Sequence, residues 1–421
     1  MIRTHRALLA ALLMAFLVRL AWISLYPQVP LRGDDRTYVA LAQSLAAGQG
    51  YLDQGNKDAH YMPGWPLVMA VPFALGLGFT AIRVLLCLLS TAVCLEAYLL
   101  GQLLVSRRAG LVAAWFGALF PPLIWYSGVL LAETVSAAVF GLWAVLAVSY
   151  AQRGGGWGRV ALVGLTTGLL VLFRAEMLPF APLPFLARAL VAGWKPQLPR
   201  AALATALCLV VLSPWVVFNL HRFGEPMLLT TAGGIGLWSV SKQPLYTAEE
   251  TYATYRALKI PGKPKATADR FAAVARENIK RDPGGYLRAR LVDLPHFWLG
   301  SQTEPVHGAE LTISEARQRK AWGVLAWKAL GYGAQALYAA GALAGLVLFA
   351  RRRDRLLPWL IVGAKVAAHA PFIQTTRYGL HVAPLLLCYA GAALLWSYDR
   401  LRGAAPDGVT SAPAPAAGST P

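Results

Sequence analysis

Runs of about twenty apolar residues recur from one end of the chain to the other, and no other feature limits its fold so strongly. A helix of that length crosses a hydrocarbon core about 30 Å thick. Ten such spans are predicted, at residues 7–26, 80–104, 109–126, 130–151, 159–173, 177–192, 200–218, 327–349, 357–373 and 379–397. Of the 421 residues 57% are hydrophobic and 14% charged, whereas a soluble domain is only about 45–50% apolar. Nearly the whole chain is therefore membrane domain. The expected fold class is an all-α polytopic membrane protein of about ten transmembrane helices, with amphipathic juxtamembrane helices and a small extracytoplasmic helical cap.

The charges give the orientation. A net charge of +19 could suggest nucleic acid, but the Lys and Arg residues form short clusters between apolar runs rather than one extended basic face. They read as topology signals and anionic-lipid contacts, so no nucleic-acid partner is expected. With the N-terminus in the cytoplasm, Arg3/Arg6, Arg107/Arg108, Arg153/Arg159, Lys195/Arg200, the run from Arg351 to Arg355 and Arg400/Arg402 all fall inside, as the positive-inside rule requires. The basic start and apolar run of residues 1–26 resemble a signal peptide, yet the run is long and lacks a small-residue cleavage site, so it reads as the first anchor. Cys87, Cys94, Cys208 and Cys388 lie within apolar segments, where they serve as small packing groups.

In this orientation the predicted organisation is as follows. Residues 1–218 carry the first helices and a first external loop (27–79), residues 219–326 form an extracytoplasmic cap, and residues 327–402 form the last helices. The Ala-, Pro-, Gly- and Ser-rich tail 403–421 is expected to be disordered. In the first loop, Asp34-Asp35 opens a stretch with Tyr38, Leu41, Ala42 and Leu45 on one face, ending at Gly48: an amphipathic helix lying along the membrane surface. A second interfacial piece follows Met62-Pro63-Gly64, from about Pro66 to Leu77. In the cap, a Gly-rich stretch from Thr230 to Gly236 and a Lys/Pro-rich loop precede a helix from about Ala268 to Arg281. Asp282-Pro283-Gly284-Gly285 stops it, and another begins near Tyr286.

The ionisable residues that the topology sends outward are the candidate site. Asp34 and Asp35 read either as a helix N-cap or as catalytic carboxylates. Glu133 starts the fourth span, where a buried carboxylate needs a cavity or a cationic partner. Arg174 and Glu176 occupy the turn between the fifth and sixth spans, and either pair with each other or serve the site. Arg377, Tyr378 and His381 open the last span, with headgroup snorkelling as the alternative for Arg377. Lys365 and His369, four residues apart, share a face expected to point inward, and His60-Tyr61 complete the set. Carboxylates can take a proton from an attacking hydroxyl, and arginines can stabilise a departing phosphate. An outer cavity combining them, open to the bilayer, suits reaction of a lipid-linked phosphate with a hydroxyl. A transporter or flippase would also bury charges, but would show repeated halves with broken helices near the midplane. A polysaccharide polymerase or ligase would use similar donors and differ in product.

These elements resemble a known family. Gly33-Asp34-Asp35-Arg36-Thr37-Tyr38 through Gly48-Gln49-Gly50-Tyr51, then His60-Tyr61-Met62-Pro63-Gly64-Trp65-Pro66, look like the first loop of the C-type fold membrane glycosyltransferases. The branch resembled contains protein O-mannosyltransferases and bacterial aminoarabinose transferases of lipid A. Ala132-Glu133-Thr134, Phe173-Arg174-Ala175-Glu176, Pro214-Trp215 through Arg222-Phe223-Gly224, Gly233-Gly234, the run from Asn278 to Tyr286 and Arg377-Tyr378 follow in matching order. The resemblance implies inverting transfer of a sugar from a polyprenyl-phosphate donor to an extracytoplasmic acceptor, in a bacterial inner membrane with the site facing outward. It puts the activating carboxylate at Asp34, where Asp35 stands in place of a frequent Glu. The resemblance does not carry over the phosphate ligands; from their charge and topology Arg174 and Arg377, with Lys365 as a second-line ligand, are the candidates to hold the phosphate, and Glu133 to bind sugar or position a cation. Metal dependence is left open: the adjacent carboxylates can take a divalent cation, and their spacing alone does not demand one.

Overall fold

The computed structural model describes residues 2–25, 31, 33–52, 59–299, 311–350, 356–372 and 375–403, and the regular structure among them is helical throughout. The tail from 404 and the arginine run 351–355 lie outside the described residues. Among the described residues seven helices are long and apolar enough to cross a membrane, and three shorter apolar helices accompany them. The long ones include α1 (Ile2–Leu25), α4 (Gly78–Leu104), α7 (Glu133–Arg153), α10 (Gln197–Phe223) and α16 (Trp322–Phe349). A 3-10 turn (Ala175–Phe180) leading into α9 (Leu183–Ala192) makes the sixth. The seventh is α18 (Thr376–Gly379) running through a 3-10 turn into α19 (Ala383–Leu401). The shorter three are α3 (Gly64–Ala74), α8 (Trp157–Phe173) and α17 (Leu357–His369). Helix α19 is the axis of the bundle and packs against α16, α5 (Arg107–Leu119), α4 and α7. Where α16 crosses it, a Cβ on Gly345 would meet the Tyr389 carbonyl oxygen at 2.1 Å, so the two backbones touch directly.

The third predicted span, 109–126, is not continuous. It breaks at Phe120 into α5 and α6 (Pro121–Tyr126). The cause is the pair Pro121-Pro122: neither has an N–H, and a proline drives the residue before it out of the helical region. Phe120 accordingly has ψ 112°. An unbroken helix would use the amides of residues 121 and 122 to satisfy the carbonyls of Gly117 and Ala118. Arg19 of α1, fully buried, does so instead, donating to Gly117 O and Ala118 O at 3.0 Å each. Its remaining contacts are Ser90 Oγ (2.6 Å), Ala15 O (2.8 Å) and Cys94 Sγ (3.8 Å). Ser90 Oγ in turn donates to Leu123 O beyond the break (2.9 Å). A lone guanidinium thus repairs the backbone of a neighbouring helix inside the apolar core, which is how a break at membrane depth stays satisfied.

Two groups of helix ends define the two ends of the bundle. At one, Arg108 pairs with Asp399 (2.9 Å), Arg107 reaches Tyr98 and His5, and Arg188 donates to the carbonyls of Ala151 and Gln152. At the other lie the start of α7, the ends of α8 and α17, and α18, together with the first loop and the cap. In that loop α2 (Asp34–Ala46) buries Tyr38, Val39, Leu41 and Ala42 against α3, close to the predicted amphipathic face. The cap holds α11 (Ala232–Ser239), α12 (Ala248–Leu258), α13 (Pro264–Arg281), α14 (Pro283–Asp293) and α15 (Ile313–Gln318). The Gly-rich stretch is helical from Ala232, and Gly234 lets α11 lie on α13, since a Cβ there would meet Ala268 O at 2.3 Å. The cap grips the bundle on two sides. Thr231 N–H donates to Ala59 O in the first loop (3.1 Å), while Tyr286 and Arg290 donate to the carbonyls of Pro371 and Phe372 just past α17 (2.7 Å each).

Candidate active site

Each charged residue of the candidate site stands where a helix begins or ends. Asp34 is the first residue of α2, Glu133 the first of α7, and Arg174 closes α8. Glu176 sits in the following 3-10 turn, Lys365 and His369 in the last two turns of α17, Arg377 in α18 and His381 in the next 3-10 turn. Helix termini leave the bundle at a common level, so residues far apart in sequence meet there. The N-cap alternative for Asp34 is not realised: Gly33, at φ 63°, is the N-cap, with no side-chain capping bond. The Asp34 carboxylate is turned instead to tertiary partners.

Those partners form the first of two linked charge groups. Arg377 Nη2 bonds Asp34 Oδ2 in a short charge-assisted contact, and the Tyr61 hydroxyl donates to Asp34 Oδ1 at 2.8 Å. Arg377 also approaches Glu133 Oε1 through its Nε at 3.0 Å, and Arg174 Nη2 meets the same oxygen at 2.6 Å. Glu133 is fully buried, as its position in a span predicts, and two guanidiniums neutralise it. Burial works to raise the Asp34 pKa, but the Arg377 charge and hydrogen bond, with the Tyr61 hydroxyl, prevail and hold it below the ordinary aspartate range.

Tyr61 is itself positioned from behind. Its carbonyl accepts from Tyr51 (2.9 Å), its ring lies 4.9 Å from that of Tyr38, and His60 packs edge-on against it at 4.7 Å. The motif around it is pinned to the bundle. Trp65 Nε1 donates to Leu130 O (2.9 Å), and a Cβ on Gly64 would meet Leu172 O of α8 at 2.6 Å.

The second group surrounds Glu176, whose Oε1 lies 3.6 Å from Lys365 Nζ and 3.7 Å from both His369 Nε2 and His381 Nδ1. Lys365 Nζ is also 2.9 Å from His381 Nδ1. Tyr378 joins the two groups, its ring 5.1 Å from that of His369 and beneath the guanidiniums of Arg377 (5.1 Å) and Arg174 (6.0 Å). The alternative in which Arg174 and Glu176 pair with each other is thus replaced by separate partners on opposite sides of their turn. Asp35 is buried and its carboxylate accepts the Arg36 amide at 2.7 Å, within its own helix. His369 enters the site through the face it shares with Lys365. Among the described residues no group of three or more His, Cys, Asp or Glu side chains is arranged to hold a metal ion.

The buried polar atoms of this site that make no hydrogen bond are of both kinds: Arg174 Nε, His381 Nε2 and the Thr375 hydroxyl on one side, and the carboxylate oxygens Glu133 Oε2 and Glu176 Oε1 on the other, while Arg377 Nε faces Glu133 Oε1 at 3.0 Å as an ion pair. Buried polar atoms are otherwise nearly always paired.

The architecture is similar to that of solved membrane oligosaccharyltransferases. By sequence no family model and no curated protein matches the chain. By structure it is similar to the oligosaccharyltransferase of Archaeoglobus fulgidus crystallised with zinc and sulfate, at 16% identity and a TM-score of 0.57, over 94% of this chain and 50% of that one. The archaeal oligosaccharyltransferase AglB from Archaeoglobus fulgidus, in complex with an inhibitory peptide and a dolichol-phosphate, gives 14% identity and a TM-score of 0.55, over 94% and 51%. ArnT from Cupriavidus metallidurans bound to undecaprenyl phosphate gives 16% identity over 94% of this chain and 79% of that one, at a TM-score of only 0.42. The chain spans about half the length of the archaeal enzyme, and at these identities the likeness is one of fold.

Proposed function

We propose that the protein is a membrane glycosyltransferase that moves a sugar from a polyprenyl-phosphate donor to the hydroxyl of an extracytoplasmic acceptor, with inversion at the sugar. The observation that carries this reading is the convergence of the Arg174 and Arg377 guanidiniums with the Asp34 and Glu133 carboxylates at one end of the bundle. The shared fold with an oligosaccharyltransferase, one of whose complexes contains a dolichol-phosphate, supports it.

In this mechanism Asp34 accepts the proton of the acceptor hydroxyl as the acceptor oxygen bonds to the anomeric carbon. The bond from that carbon to the phosphate oxygen breaks, and its electron pair leaves with the phosphate. The products are the glycoside and the polyprenyl phosphate. Phosphate is already a good leaving group, so the protein supplies electrostatic stabilisation from Arg377 and Arg174 rather than an acid. Tyr61 holds the carboxylate in line, and Asp35, Glu133, Tyr378 and His60 shape the sugar and acceptor subsites. Lys365, with Glu176, His369 and His381 around it, adds a second cationic centre behind the arginines. The lipid tail enters between helices from the bilayer, with the site on the outer face of a bacterial inner membrane.

Purified protein in lipid nanodiscs, given radiolabelled polyprenyl-phosphate sugars extracted from membranes, should release label into an acceptor glycoside of inverted anomeric configuration. Absence of transfer from every lipid donor, together with vectorial movement of the lipid-linked sugar, would overturn the proposal in favour of a transporter. The pH dependence follows from Asp34. Its pKa is depressed, so the carboxylate stays ionised on acidification until the pH falls through that lowered value. Because kcat/KM reports the free enzyme, its acid limb is expected below the ordinary aspartate value of about 3.9. A limb at neutral pH would assign the base to another group.

A further inference from the structure

The site is electrically closed on itself. Asp34, Glu133 and Glu176 face Arg174, Arg377 and Lys365, and each cation already touches a carboxylate. A phosphate cannot engage Arg377 fully while Asp34 occupies it, and Asp34 is a weak proton acceptor while Arg377 holds it. The two carboxylates on Arg377 are not equivalent. Glu133 is 0% exposed and is held by Arg174 as well, whereas the Asp34 side chain is 32% exposed and the Arg377 side chain 25%. Glu133 is therefore the fixed anchor of the guanidinium, and Asp34 is the partner that can be exchanged.

From this asymmetry we propose that the Arg377–Asp34 ion pair is a latch which the donor phosphate opens, so that the event that binds the donor also frees the base for the acceptor. This rests on the glycosyltransferase reading above. When the phosphate takes the outer face of Arg377, Glu133 keeps the guanidinium in place and the Tyr61 hydroxyl keeps Asp34 from swinging away. The released carboxylate then lies beside a phosphate rather than a guanidinium, and its proton affinity rises just as the acceptor must be activated. Without donor the base stays neutralised, and acceptor hydroxyls meeting the empty enzyme are not deprotonated.

A latch predicts a result opposite to that of a simple binding residue, because removing the Asp34 charge should strengthen donor binding. The probe is undecaprenyl phosphate, titrated into the purified full chain in nanodiscs. Asp34→Asn is expected to bind it about tenfold more tightly than wild type, a difference well within the reach of one competing charge pair. Asp34→Ser, which also removes the charge, covers failure of the amide variant to fold. Asp269→Asn, on the exposed face of α13, should bind as wild type does and so controls for net charge. Equal or weaker binding by both Asp34 variants, with wild-type binding intact, would remove the latch and leave the proposed function standing. No binding of undecaprenyl phosphate by wild type or either variant would overturn both.

Discussion

Asp34→Asn is expected to lower kcat for sugar transfer by about 10²–10⁴-fold, the usual contribution of a positioned general base. The substitution keeps the shape of the side chain. An amide oxygen can still accept from Tyr61 or Arg377, so the first loop keeps its seat on α3 and the protein should remain monodisperse. What it cannot do is carry away the hydroxyl proton. The loss should fall on kcat rather than on KM, because the missing interaction belongs to the transition state. Asp35→Asn is the internal comparison. The Asp35 carboxylate accepts the Arg36 amide within its own helix, whereas that of Asp34 faces Arg377 and Tyr61 in the site, so Asp35→Asn should cost less than Asp34→Asn. Full activity in Asp34→Asn beside an inactive Asp35→Asn would exchange the roles of the two aspartates. The assay is single-turnover transfer from a radiolabelled lipid donor at saturating concentration.

The second large effect is on stability. Arg19→Leu should destabilise the bundle by about 3 kcal/mol or more, since buried carbonyls that lose their donor cost about 1–3 kcal/mol each. The carbonyl of Ala118 depends on this side chain, and that of Gly117, which also takes a longer bond from the Phe120 amide (3.4 Å), does so in part. Thermal unfolding in detergent should show a clear fall in midpoint. Arg19→Lys should recover only part of it, because a single ammonium cannot span α1, α4 and α5 as the planar fork does. The decisive variant adds Pro121→Ala and Pro122→Ala to Arg19→Leu. If the arginine substitutes for the two missing proline amides, restoring those amides should recover stability, so the combined effect will be far from additive. Additive losses would show that the guanidinium serves some purpose other than repairing the break.

Much of the bundle was legible in the sequence because membrane burial imposes a period and a length. Ten apolar runs become seven long helices, two short ones and the broken pair α5–α6. The break itself was signalled by Pro121-Pro122, and Arg19 by a lone charge inside an apolar run, but only the fold reveals that one answers the other. Thr247 with Glu250 three residues later is a capping box in plain view, and it starts α12, a helix that hydropathy alone passes over. In the site, the residue types and their common end of the bundle could be read. Their pairing could not, because Asp34 and Arg377 are 343 residues apart and nothing local in either segment names the other. Arg174 and Glu176 show the same limit: adjacency suggested a mutual pair, whereas the turn between them sends one to α7 and the other to α17.

The separation of Asp34 from Arg377 also has a consequence for biosynthesis. The ribosome delivers the first loop to the membrane well before the segment carrying Arg377, with most of the described bundle in between. Until that segment integrates, the carboxylate has no guanidinium partner and Glu133 has only one. The ion-pair group is therefore completed only when segments separated by most of the described bundle meet, in one step rather than by degrees.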